Sequence, residues 1–301
     1  MNAIEAMQAE IEYQMQSLQE QALPPLDRNC LFVGSGDSYV AGLVAQHVSS
    51  RRAICCYPTD IIQNPSIANG RNVYIVSISG STRANILAAR VARRKGARTT
   101  AITARPASKL GRSCDETIEL KYKSAGVTTA GTVSFTSSLL ACTSLAAKIR
   151  LPAGLVSIYR QAESKAKYVV DKIHNNKYFL LGDGNLYPVA VYGALKFNEV
   201  FGARAVPYPA EEFCHSPLFS LKKDDQILLM GRGERLDQRL NREGFSSVHV
   251  DFKGEGIGLM LQSVFFIQLL MLNLAQRRGL TSCYFLNNSK LLKTSSDFIY
   301  G

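Results

Sequence analysis

Between Val191 and Pro217 the chain reads VYGALKFNEVFGARAVPYPAEEFCHSP, a stretch that gathers the residue types needed for proton transfer. Lys196 and Glu199 lie three positions apart, so a helix would set both on one face. Glu212 and His215 follow, after Pro207 and Pro209, which predict a turn. A carboxylate, an ammonium and a histidine in one short span can move a proton and steady the charge left behind. The same residues also describe a surface Lys–Glu pair, a solvated glutamate and an ordinary histidine. Residue types alone favour that plainer account.

A second cluster is Ser77–Thr82, SISGST, where a strand-like run, NVYIVS, meets the start of a helix. The hydroxyls of Ser77, Ser79 and Thr82 can converge on a phosphate. Gly80 lets the backbone approach, and a helix N-terminus supplies N–H donors and a positive dipole end. No Gly-Lys-Ser/Thr ending follows, so this is not a P-loop. An ordinary Ser/Thr helix cap would need one hydroxyl, and this loop carries four. A glycine turn at Gly34-Ser35-Gly36 lacks the third glycine of a dinucleotide fingerprint.

The elements that must position these clusters follow an alternating pattern. Residues 3–22 predict a helix, with Ile4, Met7, Ile11, Met15 and Leu18 at helical spacing and Pro24-Pro25 beyond it. Strands are predicted at Leu31–Val33, Arg52–Tyr57, Asn72–Ser77, Arg98–Thr103 and Thr117–Leu120, with a helix over 130–149. The pattern then repeats. Tyr178–Leu181 runs into GDGN as Leu31–Val33 runs into GSGD, and Gln226–Met230 runs into GRGE where VSISGST stood. The second-half loop, Met230–Leu236, has no hydroxyl, so the halves have diverged toward different tasks. The expectation is α/β: two tandem doubly wound parallel sheets flanked by helices. The divisions are an N-terminal helix (1–28), a first domain (29–152) and a second (153–301). Ligands should bind at the carboxyl ends of the strands.

Composition narrows the partners. The net charge is +11 over 301 residues, yet the basic residues come in scattered pairs and triples rather than one long run. That suits an anionic small molecule better than nucleic acid. Seven cysteines, an odd number with no CxxC, fit reduced thiols in the cytoplasm. The acidic, amphipathic first residues do not resemble a secretory leader. The apolar run Ile257–Ala275 is broken by Gln262, Ser263, Gln268 and Asn273, so a buried helix is expected rather than a membrane span. The four histidines lack metal-ligand spacing, so neither metal nor cofactor is expected.

GALK, then Glu199, then Glu212-x-x-His215-x-Pro217, resembles the sugar isomerase (SIS) domain family in order and spacing. The resemblance is to the isomerase half of glucosamine-6-phosphate synthase and to stand-alone archaeal-type glucosamine-6-phosphate deaminases. It runs from about Asn29 to near the C-terminus. It implies two SIS domains and a phosphate clasped by Ser77, Ser79, Gly80 and Thr82. Ser38 would reach the substrate, with Asp37 where the family has a threonine. Glu199 would shuttle a proton between C1 and C2 of an open-chain sugar. Lys196 would steady the enediolate charge, and His215 would assist ring opening. Glu212 would orient His215 or cap its turn. Lys293, or failing it Lys290, would be the tail lysine, active in ring opening or a Schiff base. In the family the histidine comes from a neighbouring subunit, so a homodimer is implied. Departures are Ile78 for a glutamine, Tyr192 for a glutamate, Asn198 for a lysine, and Gly131-Thr132-Val133 without the family's lysine.

The implied function is an aldose–ketose isomerase acting on an amino-sugar phosphate. Position 2 is Asn2, not a nucleophilic cysteine, and no glutaminase stretch precedes the pair. The expected direction is therefore deamination of glucosamine 6-phosphate to fructose 6-phosphate and ammonia. The alternatives are a phosphoglucose or phosphomannose isomerase, and a regulator that binds sugar phosphates without turnover. No nucleic-acid or membrane partner is expected.

Overall fold

The computed structural model describes residues 1–27, 29–174 and 177–301. The chain forms two compact units. One comprises Met1–Glu12, Ala125–Ala130 and Leu151–Asn287; the other comprises Tyr13–Ser124, Gly131–Arg150 and Asn288–Gly301. Each holds a parallel sheet flanked by helices, so the protein is α/β. The first helix, α1 (Ala3–Glu20), buries Ile4, Met7, Ile11 and Leu18 at the predicted spacing.

The first sheet begins with β1 (Cys30–Val33), followed by α2 (Asp37–Val48), β2 (Ile54–Cys56) and α3 (Pro58–Gln63). Then come β3 (Asn72–Val76), α4 (Arg83–Arg94), β4 (Arg98–Thr103), β5 (Glu116–Glu119) and α5 (Val133–Ala146). The order is β2-β1-β3-β4-β5, all parallel. Every residue of β1 is buried, as expected of a central strand covered on both faces. Leu31, Val33 and Ile75 pack against Ile86, Ala89 and Ala92 of α4. Between β4 and β5 the chain makes a single 3-10 turn, Gly111–Ser113. The strand order reverses between β1 and β3, which opens a crevice at their carboxyl ends. The loops after these two strands carry Ser38 and Ser77–Thr82.

At the amino end of this sheet, Asp27 ties down β3. Its Oδ2 accepts hydrogen bonds from Tyr74 Oη (2.7 Å) and Asn72 Nδ2 (2.6 Å), and Oδ1 accepts from Asn29 N (3.0 Å). Partial burial disfavours the charged carboxylate; the Tyr74, Asn29 and Asn72 hydrogen bonds outweigh it and lower the pKa. A carboxylate with a lowered folded pKa stabilises the fold above its unfolded pKa of about 3.9. That stabilisation is lost as pH falls through the folded value. Asp27→Asn should therefore destabilise near neutral pH, and the deficit should shrink below about pH 4. Urea unfolding of both proteins across this range checks it; a pH-independent difference would refute it.

The second sheet uses α6 (Leu155–Val170), β6 (Lys177–Gly182), α7 (Tyr187–Phe201), β7 (Arg204–Tyr208) and α8 (Ala210–His215). It continues with β8 (Gln226–Met230), α9 (Glu234–Arg242), β9 (Ser246–Val250), α10 (Gly256–Arg277) and α11 (Tyr284–Asn287). Its order, β7-β6-β8-β9, repeats the opening order of the first sheet. Pro207 was expected in a turn, yet it lies inside β7 opposite Leu180. β7 is an edge strand, where a missing N–H costs no ladder bond. α10 has the length and composition of a membrane span, but most of its apolar window is buried within the protein. It packs on α6 and α7, as a core helix does. A last helix, α12 (Ser289–Tyr300), belongs to the unit of the first sheet and buries none of its residues.

Candidate functional site

In the unit of the first sheet, the Ser77–Thr82 loop is braced by its own hydroxyls. Ser77 Oγ accepts from Gly80 N (3.2 Å) and lies 3.4 Å from Thr82 Oγ1. Ser79 Oγ accepts from Ser81 N (3.3 Å) and Ser81 Oγ (2.8 Å). Thr82 occupies the N-cap position of α4, yet its side chain makes no capping bond. The ordinary-cap account of this loop therefore fails. Its hydroxyls stand at the N-terminus of a 12-residue helix without serving it, an arrangement suited to an anion.

Gly80 is what permits the turn. Its φ is +60°, and a Cβ there would meet Ser108 Oγ at 2.0 Å and Thr103 Oγ1 at 3.2 Å. Leu110 N in turn donates to the Gly80 carbonyl (3.0 Å), pinning the loop against the next connection. Gly36 has a similar φ, +56°, but open space around its missing Cβ. Gly80→Ala should thus cost more stability than Gly36→Ala: about 1–3 kcal/mol against about 1 kcal/mol, because steric overlap adds to the left-handed penalty. Thermal unfolding of the two variants tests this; equal losses would contradict it.

Asp37 and Ser38 open α2. The Asp37 carboxylate faces Gly131, where a Cβ would meet Oδ2 at 2.3 Å. Gly131 precedes the N-terminus of α5, a position that favours negative charge. Gly131, which stands in the segment where the family carries a lysine, thereby admits Asp37. Ser38 is half-buried, its N–H donating to Ser35 O (3.2 Å). Lys290 and Lys293 are exposed on α12, and neither ammonium forms an ion pair or hydrogen bond among the described residues.

The Lys196–Glu199 pair lies in the unit of the second sheet, on α7. Lys196 is only 2% exposed, so the solvated-pair account does not hold for it. Its Nζ lies 2.5 Å from Glu199 Oε2 and 5.3 Å from the centre of the Tyr192 ring. The Tyr192 hydroxyl accepts from Gln268 Nε2 of α10 (3.3 Å). Tyr192 thus contributes a ring face to the buried ammonium where the family has a carboxylate. Glu199 is 35% exposed, reachable from solvent while tied to the lysine. Gly193 of the GALK motif serves packing: a Cβ there would meet Leu180 Cδ2 at 2.6 Å and Ile267 Cδ1 at 3.0 Å.

Two residues of this unit were not legible beforehand. Cys283 is fully buried, and burial raises its thiol pKa; the Glu199 charge adds to this, while the Ala130 and Thr129 hydrogen bonds and Lys196 oppose it. It is a neutral wall rather than a nucleophile. The other is Asp183, in the glycine turn after β6, whose Oδ1 accepts from Ala210 N (2.8 Å) at the start of α8. This carboxylate holds the amino end of α8; Glu212, expected to orient His215 or cap its turn, is exposed. Phe213 anchors α8 inward against Phe179, with ring centres 5.2 Å apart. His215, at the far end of the helix, is exposed and makes no hydrogen bond or ion pair among the described residues. No group of three or more possible metal ligands occurs among them either.

Residues 27–148, which carry the first sheet and the hydroxyl loop, match the model of the SIS domain family. Two curated relatives are glutamine–fructose-6-phosphate aminotransferases (isomerizing). The one from Caldanaerobacter subterraneus subsp. tengcongensis is 27% identical over 235 residues, covering 69% of this chain and 38% of that protein. The one from Legionella pneumophila strain Lens is 29% identical over 242 residues, covering 72% and 39%. The chain therefore spans about two fifths of the length of the curated relatives it matches. A solved glucosamine-6-phosphate deaminase from Thermotoga maritima superimposes with a TM-score of 0.77 at 21% identity, covering 93% of this chain and 95% of that one. The C-terminal domain of glucosamine–fructose-6-phosphate aminotransferase from Francisella tularensis gives 0.67 at 21% identity, covering 93% and 97%. These two likenesses establish the fold.

Proposed function

We propose that the chain is a pair of tandem SIS domains (29–152 and 153–301, after a helical 1–28) that deaminates and isomerises an amino-sugar phosphate. The substrate is glucosamine 6-phosphate and the products are fructose 6-phosphate and ammonia, one water being consumed. The observation that carries this is the buried Lys196 ammonium, 2.5 Å from a half-exposed Glu199 carboxylate. A buried lysine beside a carboxylate is costly to keep and is hard to explain as surface decoration. The likeness in length and fold to a glucosamine-6-phosphate deaminase supports the choice of substrate.

In this proposal Ser77, Ser79, Gly80 and Thr82 hold the phosphate, and Ser38 and Asp37 face the sugar hydroxyls. His215 opens the ring by passing a proton between ring oxygen and C1 hydroxyl. Glu199 takes the proton from C2 and returns it to C1. Lys196 stabilises the negative charge that develops on the sugar oxygen between those two transfers. The imine then formed at C2 adds water and expels ammonia. Lys293 is the tail lysine that assists ring opening, with Lys290 as its substitute. A homodimer, with His215 supplied by the partner subunit, and cytoplasmic residence complete the proposal.

Incubating the pure protein with glucosamine 6-phosphate, and following ammonia and fructose 6-phosphate together, tests it. Glucose 6-phosphate and mannose 6-phosphate run in parallel. Stoichiometric ammonia and ketose support the deaminase. Conversion of only the neutral sugar phosphates identifies a plain isomerase, and saturable binding without turnover identifies a sensor; either replaces the proposed reaction.

A further inference from the structure

The outer flank of α4 presents Arg90, Arg93 and Arg94, and the turn Gly111–Ser113 brings Arg112 and Ser113 beside them. Together these five residues line a groove of about 660 Å³ within one unit. Basic residues at a helix C-terminus complement its dipole, which accounts for Arg93 and Arg94. It does not account for Arg112, which arrives from a different element. Gly111 makes that arrival possible: a Cβ there would meet the Pro106 carbonyl oxygen at 2.0 Å.

Only one of the four guanidiniums is ion-paired among the described residues. Arg93 Nε binds Asp115 Oδ1 at 2.7 Å. Asp115 is already committed, accepting from both Thr99 N (2.9 Å) and Thr99 Oγ1 (2.7 Å). Two of the others are steered by backbone carbonyls: Arg94 Nε donates to Arg90 O (3.3 Å) and Arg112 donates to Ala107 O. A guanidinium has five N–H donors, so one such bond fixes its direction and leaves the rest for a ligand. Gathering four like charges into one groove is unfavourable until an anion neutralises them. Arginine forks match phosphoryl oxygens two at a time.

We propose that this groove binds an oligophosphate anion, a ligand with two or more linked phosphoryl groups. No aromatic ring lines it, so a base would find no stacking partner, and the phosphate chain itself is what is recognised. The ligand is either a free inorganic oligophosphate or the phosphate tail of a nucleoside triphosphate. The site is separate from the Ser77–Thr82 loop and does not depend on the reaction proposed above.

Calorimetric titration of the full chain with tripolyphosphate, at about 0.15 M salt, tests the site. The expected result is one site per chain, weakened tenfold or more by Arg94→Gln and by Arg112→Gln. Arg94→Lys, which keeps the charge and loses the fork, should fall between. Thermal unfolding confirms that each variant folds, and Thr82→Val should leave this binding unchanged. ATP binding as tightly as tripolyphosphate supports recognition of the chain alone; tighter ATP binding supports a nucleotide occupant. The site is refuted by no binding, by binding indifferent to the arginine variants, by binding lost with Thr82→Val, or by binding of a single-stranded oligonucleotide alone.

Discussion

Replacing Glu199 with glutamine should lower kcat on glucosamine 6-phosphate by about 10²- to 10⁴-fold, the range over which a positioned general base contributes. The substitution keeps size and shape but removes the proton acceptor. It also replaces an ion pair with a neutral hydrogen bond at the Lys196 ammonium, which is 2.5 Å from the carboxylate and 2% exposed. Substrate affinity should change far less, because the proposal assigns the phosphate contacts to other residues. Steady-state kinetics beside direct binding of the sugar phosphate separate the two quantities. A variant that still turns over within a few fold of wild type would remove Glu199 from the chemistry. One that loses binding and turnover together would mean the pair is structural.

The second large effect belongs to the hydroxyl loop. Ser79→Ala and Thr82→Val should each reduce kcat/KM by about 10- to 100-fold. That is the cost of losing one hydrogen bond to a charged group, roughly 1.5–3 kcal/mol. The change should fall mainly on KM, as expected when an interaction is made equally in ground and transition states. Thr82 gives the cleaner test, since its hydroxyl does not cap α4 and its removal should spare the helix. Unchanged kinetics in both variants would mean that the phosphate is held elsewhere.

How much of this could be read beforehand depended on the kind of signal. The strands were legible because continuous apolar runs such as LFV and VYIV, set between glycine turns and helical spacings, fit a parallel sheet. Arg98–Thr103 and Gln226–Met230 match their predicted ends. Pro207 misled because a proline marks a turn locally, whereas the edge position that tolerates it is a property of the sheet. The residue types of the Lys196–Glu199 pair were visible, but its burial was not. Burial follows from how α7 packs on β6 and α10, and no three-residue spacing encodes that. Cys283 and Asp183 were missed for the same reason. Each acts through a contact distant in sequence: Cys283 beside Glu199 and Thr129, Asp183 at the amino end of α8. The glycine turn after β6, matching the one after β1, was the available clue to Asp183.

The central claim is that the Glu199 carboxylate takes the C2 proton of a bound sugar phosphate. Glucosamine 6-phosphate carrying deuterium at C2 reports on that step directly, by mass spectrometry of the recovered sugar and product. The wild-type protein should move the label from C2 to C1 of the ketose or exchange it with solvent, with turnover slowed relative to the unlabelled sugar, while Glu199→Gln should bind the sugar and leave the label at C2. Label kept at C2 by the wild type, or lost equally from both proteins, would contradict the account.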